Sequence, residues 1–103
     1  MATGTQRVVD DMERSVHEAS LLLKALSNEC RLLILCNLLD GEKSVSELNM
    51  RIDLSQSALS QHLARLRRDH LVKVRKQAQT VYYRIASDEA EQVIGLMHQL
   101  YCE

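Results

Sequence analysis

Around residue 70 the spacing of apolar side chains changes from a helical period to a strand period, and that change limits the folds open to this chain. Upstream, Leu59, Leu63 and Leu66 recur at steps of four and three, the spacing that lines one face of an α-helix. Downstream, "LVKVRK" and "TVYYRIA" alternate between apolar and polar residues and are rich in Val and Tyr, with "QAQ" between them. That pattern predicts a β-hairpin.

The residues before the switch predict two further short elements. Ser44 and Glu47 form an S-x-x-E capping box, which satisfies two backbone N–H groups at once and opens a helix to about Met50. "RIDL" turns the chain, and a helix follows from about 55 to 69. Two helices joined by a four-residue turn and followed by a two-stranded wing make a winged helix-turn-helix, a mainly α fold whose second helix enters the DNA major groove. The expected order is four helices, two strands and a fifth helix, in a single domain over residues 1–103.

The other helices frame this unit. Val9, Met12, Val16, Ala19, Leu23 and Leu26 are spaced close to a heptad seam, predicting a first helix from about 9 to 26. Ser27 or Asn28 caps a second helix, about 29 to 39, which is apolar on nearly every side and is expected at the buried centre. Ser87 caps the last helix, with Asp88, Glu89 and Glu91 in its first turn, where the macrodipole favours acids. Its stripe is Ala90, Val93, Ile94, Met97, Leu100 and Tyr101. Gly95 within it marks either a close helix contact or a tolerated defect.

Charge is segregated. From Arg51 to Arg84 there are eight Lys or Arg against two Asp or Glu, whereas the rest carries five against twelve. A basic block on an otherwise acidic chain points to a polyanion on one side, or to a solvated face. On the helix at 55–69, Ser57, Gln61, Ala64 and Arg68 lie opposite the leucine stripe, flanked by Ser60 and Arg65. Small hydroxyls and an amide suit base edges and phosphates, and arginines suit the backbone. The interface residues assigned on this reading are Ser55, Gln56, Ser57, Ser60, Gln61, Arg65 and Arg68 on the helix, with Arg75, Lys76 and Gln79 on the wing. Lys73 and Arg84 extend the same positive surface. The competing reading is a helical interaction module whose positive face binds an acidic protein.

No apolar run reaches the roughly 18 residues of a membrane span, and "MATGTQRVVDDMERS" has no signal-peptide core. Three cysteines, an odd number, fit free thiols in a reducing cytoplasm. No phosphate-binding loop, metal triad, nucleophile–base run or C-x-x-C pair is present, so neither an enzyme nor a cofactor is expected.

"ELNMRIDLSQSALSQHLARLRRDHLVKVRKQAQTVYYRI" resembles the DNA-binding core of the ArsR/SmtB repressors, and "LLKALSNECRLLIL" resembles their lead-in helices. The resemblance implies a homodimer built by the first and last helices and bound to an inverted-repeat operator in double-stranded DNA. Two departures, His70 and Ala78 where Gly is usual, are expected to alter loop geometry but not the fold. Metal-sensing members carry E-L-C-x-C on the third helix; here Asn49 and Arg51 take the cysteine positions. The last helix has Asp88 but Ala90 where a His is needed. No metal is therefore expected, and His17, His62, His70 and His98 are read as solvated or structural.

Cys36 and Cys102, in "ILC" and "YC" contexts, resemble the cysteine pair of the persulfide-sensing SqrR/BigR branch, with the HlyU-like branch closely similar. The resemblance implies a thiol-switched repressor released by reactive sulfur species through a Cys36–Cys102 polysulfide or disulfide, or alternatively a HlyU-like activator or anti-silencer. Cys30 lies about 240° round the helix from Cys36 and is read as a bystander. A cysteine in an apolar helix is otherwise often a small hydrophobe.

Overall fold

A computed structural model describes residues 3–102, without the side chains of residues 3–8, 12 and 14. The element order is α1 (Thr3–Leu26), α2 (Glu29–Asn37), β1 (Lys43–Ser44), α3 (Val45–Arg51), α4 (Gln56–Arg68), β2 (Val72–Gln77), β3 (Thr80–Ile85) and α5 (Asp88–Cys102). The mainly α winged fold is as read from the sequence, with one added strand: β1 pairs with β3 and completes a three-stranded antiparallel sheet in the order β1-β3-β2. Two residues in a connecting segment carry no alternation, so the period could not announce this strand.

Caps set the helix starts. Asn28, not Ser27, caps α2, its side chain accepting from the Arg31 N–H at 3.0 Å. Ser44 and Glu47 form the full capping box at α3. Ser55 accepts from the Ala58 N–H at 3.1 Å, and Ser87 from the Ala90 N–H at 3.1 Å. Two boundaries differ from expectation. α1 begins at Thr3 instead of about residue 9, there being no proline to stop it. α2 ends at Asn37, where the Leu38 and Leu39 N–H groups turn back to the Leu35 and Cys36 carbonyls.

The loops at His70 and Ala78 keep a geometry that usually selects glycine, contrary to the expected change. His70 takes φ 61 and Ala78 φ 54. At the end of α4, the His70 N–H donates to the Arg67 carbonyl and the Leu71 N–H to the Leu66 carbonyl. This is a Schellman ending with histidine in the left-handed position, and its apolar contact joins buried Leu66 and Leu71. At the wing tip Gln77 pairs with Thr80, so the loop is Ala78–Gln79 alone.

The core gathers Ile34 and Leu35 of α2, Leu48 of α3, Leu59, Leu63 and Leu66 of α4, and Ile94 of α5, all fully buried. Each such side chain contributes about 1.5–3 kcal/mol of transfer free energy. α2 packs against α1, α4 and α5, so it is the central support of the reading helix. It is not buried all round, because Leu33 is exposed. Much of the predicted α1 seam is also uncovered: Val9, Val16 and Leu23 are exposed, Ala19 is half-buried and Leu26 is buried. The Met12 side chain lies outside the described residues. The α5 stripe divides likewise, with Ala90 and Ile94 buried but Met97, Leu100 and Tyr101 exposed. A methyl group added at Gly95 meets nothing within 4 Å, so no close contact inside the protomer requires that glycine.

Candidate nucleic-acid interface and thiol cleft

The α4 surface opposite Leu59, Leu63 and Leu66 presents Gln56, Ser57, Ser60, Gln61 and Arg68, all exposed. Ser55 is exposed too, but its Oγ is engaged as the helix cap and lies 3.4 Å from Ser57 Oγ. Arg65 is half-buried, its Nε donating to Asp69 Oδ2 at 3.1 Å. Asn49 helps hold the turn between the two helices, its Nδ2 donating to the Leu54 carbonyl at 2.9 Å. Asn49 thus has a structural task at one of the positions where metal sensors carry cysteine.

The wing register separates its cations. Lys73, Arg75 and Gln77 share a face with Arg84, Tyr82 and Thr80. Lys76 belongs to the opposite face, with Val72 and Val74, and is exposed toward the tip with Gln79. Lys73 stands directly across from Arg84. Like charges in that position are destabilising unless an anion lies against them.

Arg75 is already engaged. Its Nε donates to both Glu42 carboxylate oxygens at 3.2 Å and its Nη2 to Glu42 Oε1 at 2.6 Å. Its Nη1 donates to Gln77 Oε1 at 2.7 Å, and the guanidinium stacks 4.5 Å from the Tyr82 ring centre. The same guanidinium holds the Glu42 carboxyl below its usual range. No short-range pattern links Glu42 and Arg75, which are 33 residues apart, so sequence reasoning missed this clamp. It fastens the wing to the turn after α2.

The two thiols lie on the two helices of the α2–α5 contact. Cys36 is half-buried on α2, and Cys102 is exposed on the last turn of α5; both are free. Burial pushes the Cys36 thiol above its ordinary value of 9.0, and the charge of a Cys102 thiolate pushes it the same way. Cys36 opens onto a cleft of about 500 Å³ lined also by Asn37, Leu39, Asp40, Arg51 and His98. Asp40 is held by Lys43, whose Nζ lies 2.6 Å from Asp40 Oδ1. Cys30 is half-buried and does not line this cleft. Among the described residues no group of three or more His, Cys, Asp or Glu is gathered for a metal ion, and no helix is long and apolar enough to cross a membrane.

The family described as bacterial regulatory proteins of the arsR family matches over residues 28–74. Over 100 residues, 97% of this chain and 93% of the relative, the sequence is 56% identical to the transcriptional activator HlyU of Vibrio cholerae. It is 37% identical over 93 residues, 90% of this chain and 82% of the relative, to the biofilm growth-associated repressor of Xylella fastidiosa. Among solved structures, reduced HlyU from Vibrio cholerae superposes with a TM-score of 0.86 at 59% identity, covering 90% of this chain and 98% of that one. The transcriptional repressor BigR from Xylella fastidiosa gives a TM-score of 0.86 at 36% identity, covering 91% and 96%.

Proposed function

This chain belongs to the ArsR family of bacterial transcriptional regulators, which are DNA-binding proteins and not enzymes, and on that premise we propose that it is a cytoplasmic homodimeric repressor switched by its own thiols. The observation that supports the switch is the placement of Cys36 and Cys102 on the packed helices α2 and α5, one half-buried and the other exposed on the final turn. The reading surface is exposed Ser57, Ser60 and Gln61 on α4, with Arg68 beyond them and Lys73 and Arg84 on the wing. Two such surfaces, related by dimer symmetry, meet the half-sites of an inverted repeat. The uncovered apolar faces of α1 and α5 supply the dimer contact.

The inducer is a reactive sulfur species. A Cys36 thiolate attacks the terminal sulfur of an organic persulfide; the donor S–S bond breaks, its thiolate leaves with the electron pair, and Cys36 keeps the sulfur as a persulfide. When Cys102 has been loaded in the same way, the two persulfides condense to a trisulfide and release H₂S. The bridge ties α5 to α2, the helix that supports α4. A displacement of α4 against its half-site is duplicated by symmetry, so both halves of the contact weaken.

A second reading is favoured by the 56% identity to a protein described as an activator. Occupying DNA represses where the site overlaps a promoter and activates where it displaces another repressor.

Gel-shift titration with persulfide tests the switch. Cys36→Ser and Cys102→Ser should each bind operator and ignore persulfide, whereas Cys30→Ser should respond as the parent does. Release of DNA by either of the first two, at the parent's dose, overturns the two-thiol switch.

A further inference from the structure

The cleft beside Cys36 contains a cation whose surroundings leave it open to a ligand. Arg51 ends α3 and is exposed on the cleft wall. The Asp40 carboxyl is lowered mainly by Lys43 and the Glu47 carboxyl mainly by the Ser44 N–H, with Arg51 adding a smaller effect of the same sign on both, yet Arg51 forms no ion pair with either. Both acids have other partners. Asp40 accepts from Lys43 at 2.6 Å, and Glu47 closes the α3 capping box by accepting from the Ser44 N–H at 2.9 Å. The guanidinium therefore offers its planar fork of donors, the geometry that fits a carboxylate, in the same cleft as the thiol. A cleft of about 500 Å³ is of the size that small molecules occupy.

We propose that Arg51 forms an anion subsite in this cleft, receiving the carboxylate of a low-mass organic persulfide and presenting its sulfur to Cys36. The inference names the donor class for the thiol switch and rests on that reading, but the subsite can be tested apart from it. The chemistry is the transfer already described: the donor's S–S bond breaks, its thiolate departs with the electron pair, and the sulfur remains on Cys36. Arg51 makes no bond to sulfur. It is a positioning and selectivity residue, favouring carboxylate-bearing donors over neutral or cationic ones. The subsite also suits a thiol that burial keeps mostly protonated, since a docked donor prolongs each encounter with the small thiolate fraction.

The test alkylates the reduced full-length protein with iodoacetate, an anion, or with iodoacetamide, its neutral counterpart, and follows the Cys36 peptide by mass spectrometry. Arg51→Gln should slow iodoacetate at Cys36 by about fivefold, the order an exposed ion pair supplies, and change iodoacetamide by less than about twofold. Arg51→Lys, which keeps the charge, should retain most of the bias. Equal changes with both reagents, or no change with either, would falsify the subsite; Cys30 and Cys102 serve as internal references for folding. In a second arm, glutathione persulfide should release DNA from the parent faster than cysteamine persulfide, and Arg51→Gln should erase the difference. An alkylation bias without DNA release by either persulfide leaves the anion subsite standing and overturns the donor class and the switch.

Discussion

His70 and Ala78 hold φ of 61 and 54 without being glycine. For a residue with a Cβ, left-handed backbone costs about 1–2 kcal/mol, partly offset in a glycine variant by the greater freedom of its unfolded chain. His70→Gly and Ala78→Gly should each stabilise the fold by about 1 kcal/mol, read by denaturant titration at fixed protomer concentration. A loss of stability would mean that the histidine or alanine side chain makes a contribution larger than the strain. At Gln61, exposed on α4, truncation to Ala should remove about 1–3 kcal/mol of discrimination at one base pair, measured by operator affinity against a panel of single substitutions. A uniform loss across the panel would instead assign Gln61 to the backbone. At Cys36 the raised thiol pKa fixes the sign of a pH effect. The thiolate is the reactive form, so its alkylation by iodoacetamide should still rise about tenfold per unit at pH 8 and level off only above 9.0. A plateau below pH 8 would contradict the burial argument.

Among the elements, the wing has the least core of its own, and its placement depends on the Glu42–Arg75–Tyr82 clamp. The sequence assigns Arg75 to the DNA-facing surface, and the fold engages it with Glu42, where the two formal charges cancel locally. Phosphate neutralisation is therefore expected first from Lys73 and Arg84. Glu42→Gln leaves the Arg75 charge uncompensated beside the wing. DNA binding by this variant should strengthen at low salt for every sequence, with the dependence on salt steeper by about one phosphate contact. The check is affinity measured by fluorescence anisotropy over a range of salt concentrations. A weaker variant with an unchanged slope would show that the clamp matters through the orientation of the wing and not through charge.

At the scale of the molecule, α1 is longer than the two shorter dimensions of the protomer. Its 24 residues span about 36 Å, the protomer extends 60 × 29 × 21 Å, and among the described side chains of α1 the buried ones are Ala25 and Leu26 at its end. A helix with an uncovered apolar seam gains stability when another apolar face covers it, and α5 offers Leu96, Met97, Leu100 and Tyr101. Leu23 is 58% exposed in the protomer, so Leu23→Glu should spare the core and oppose only association. Sedimentation at micromolar concentration should show the parent as a dimer and this variant shifted to monomer. Its operator affinity should fall by more than about tenfold because the two half-sites are no longer joined. A dimeric Leu23→Glu would move the interface elsewhere.

Local chemistry in the sequence determined most of the elements. The capping box at Ser44 and Glu47, the cap at Ser87, the leucine stripe of α4 and the alternation of the wing each specify backbone hydrogen bonding within a few residues, so they could be read without any partner. The serine and glutamine surface of α4 was legible for the same reason, since a helix with one buried face leaves the other defined. Tertiary structure alone decided what met across long separations. Periodicity states which side of a helix is apolar but not what covers it, so it could not tell that Leu33, Met97 and Leu100 stay uncovered in the protomer. It could not commit Arg75 to Glu42, or set Arg51 beside Cys36, because those pairings arise only when α2, α3 and the sheet have packed. The resemblance marks Cys36 and Cys102 as a pair, yet the environment of Cys36 follows from the α2–α5 contact, where burial first and the charge of a Cys102 thiolate second raise its thiol pKa.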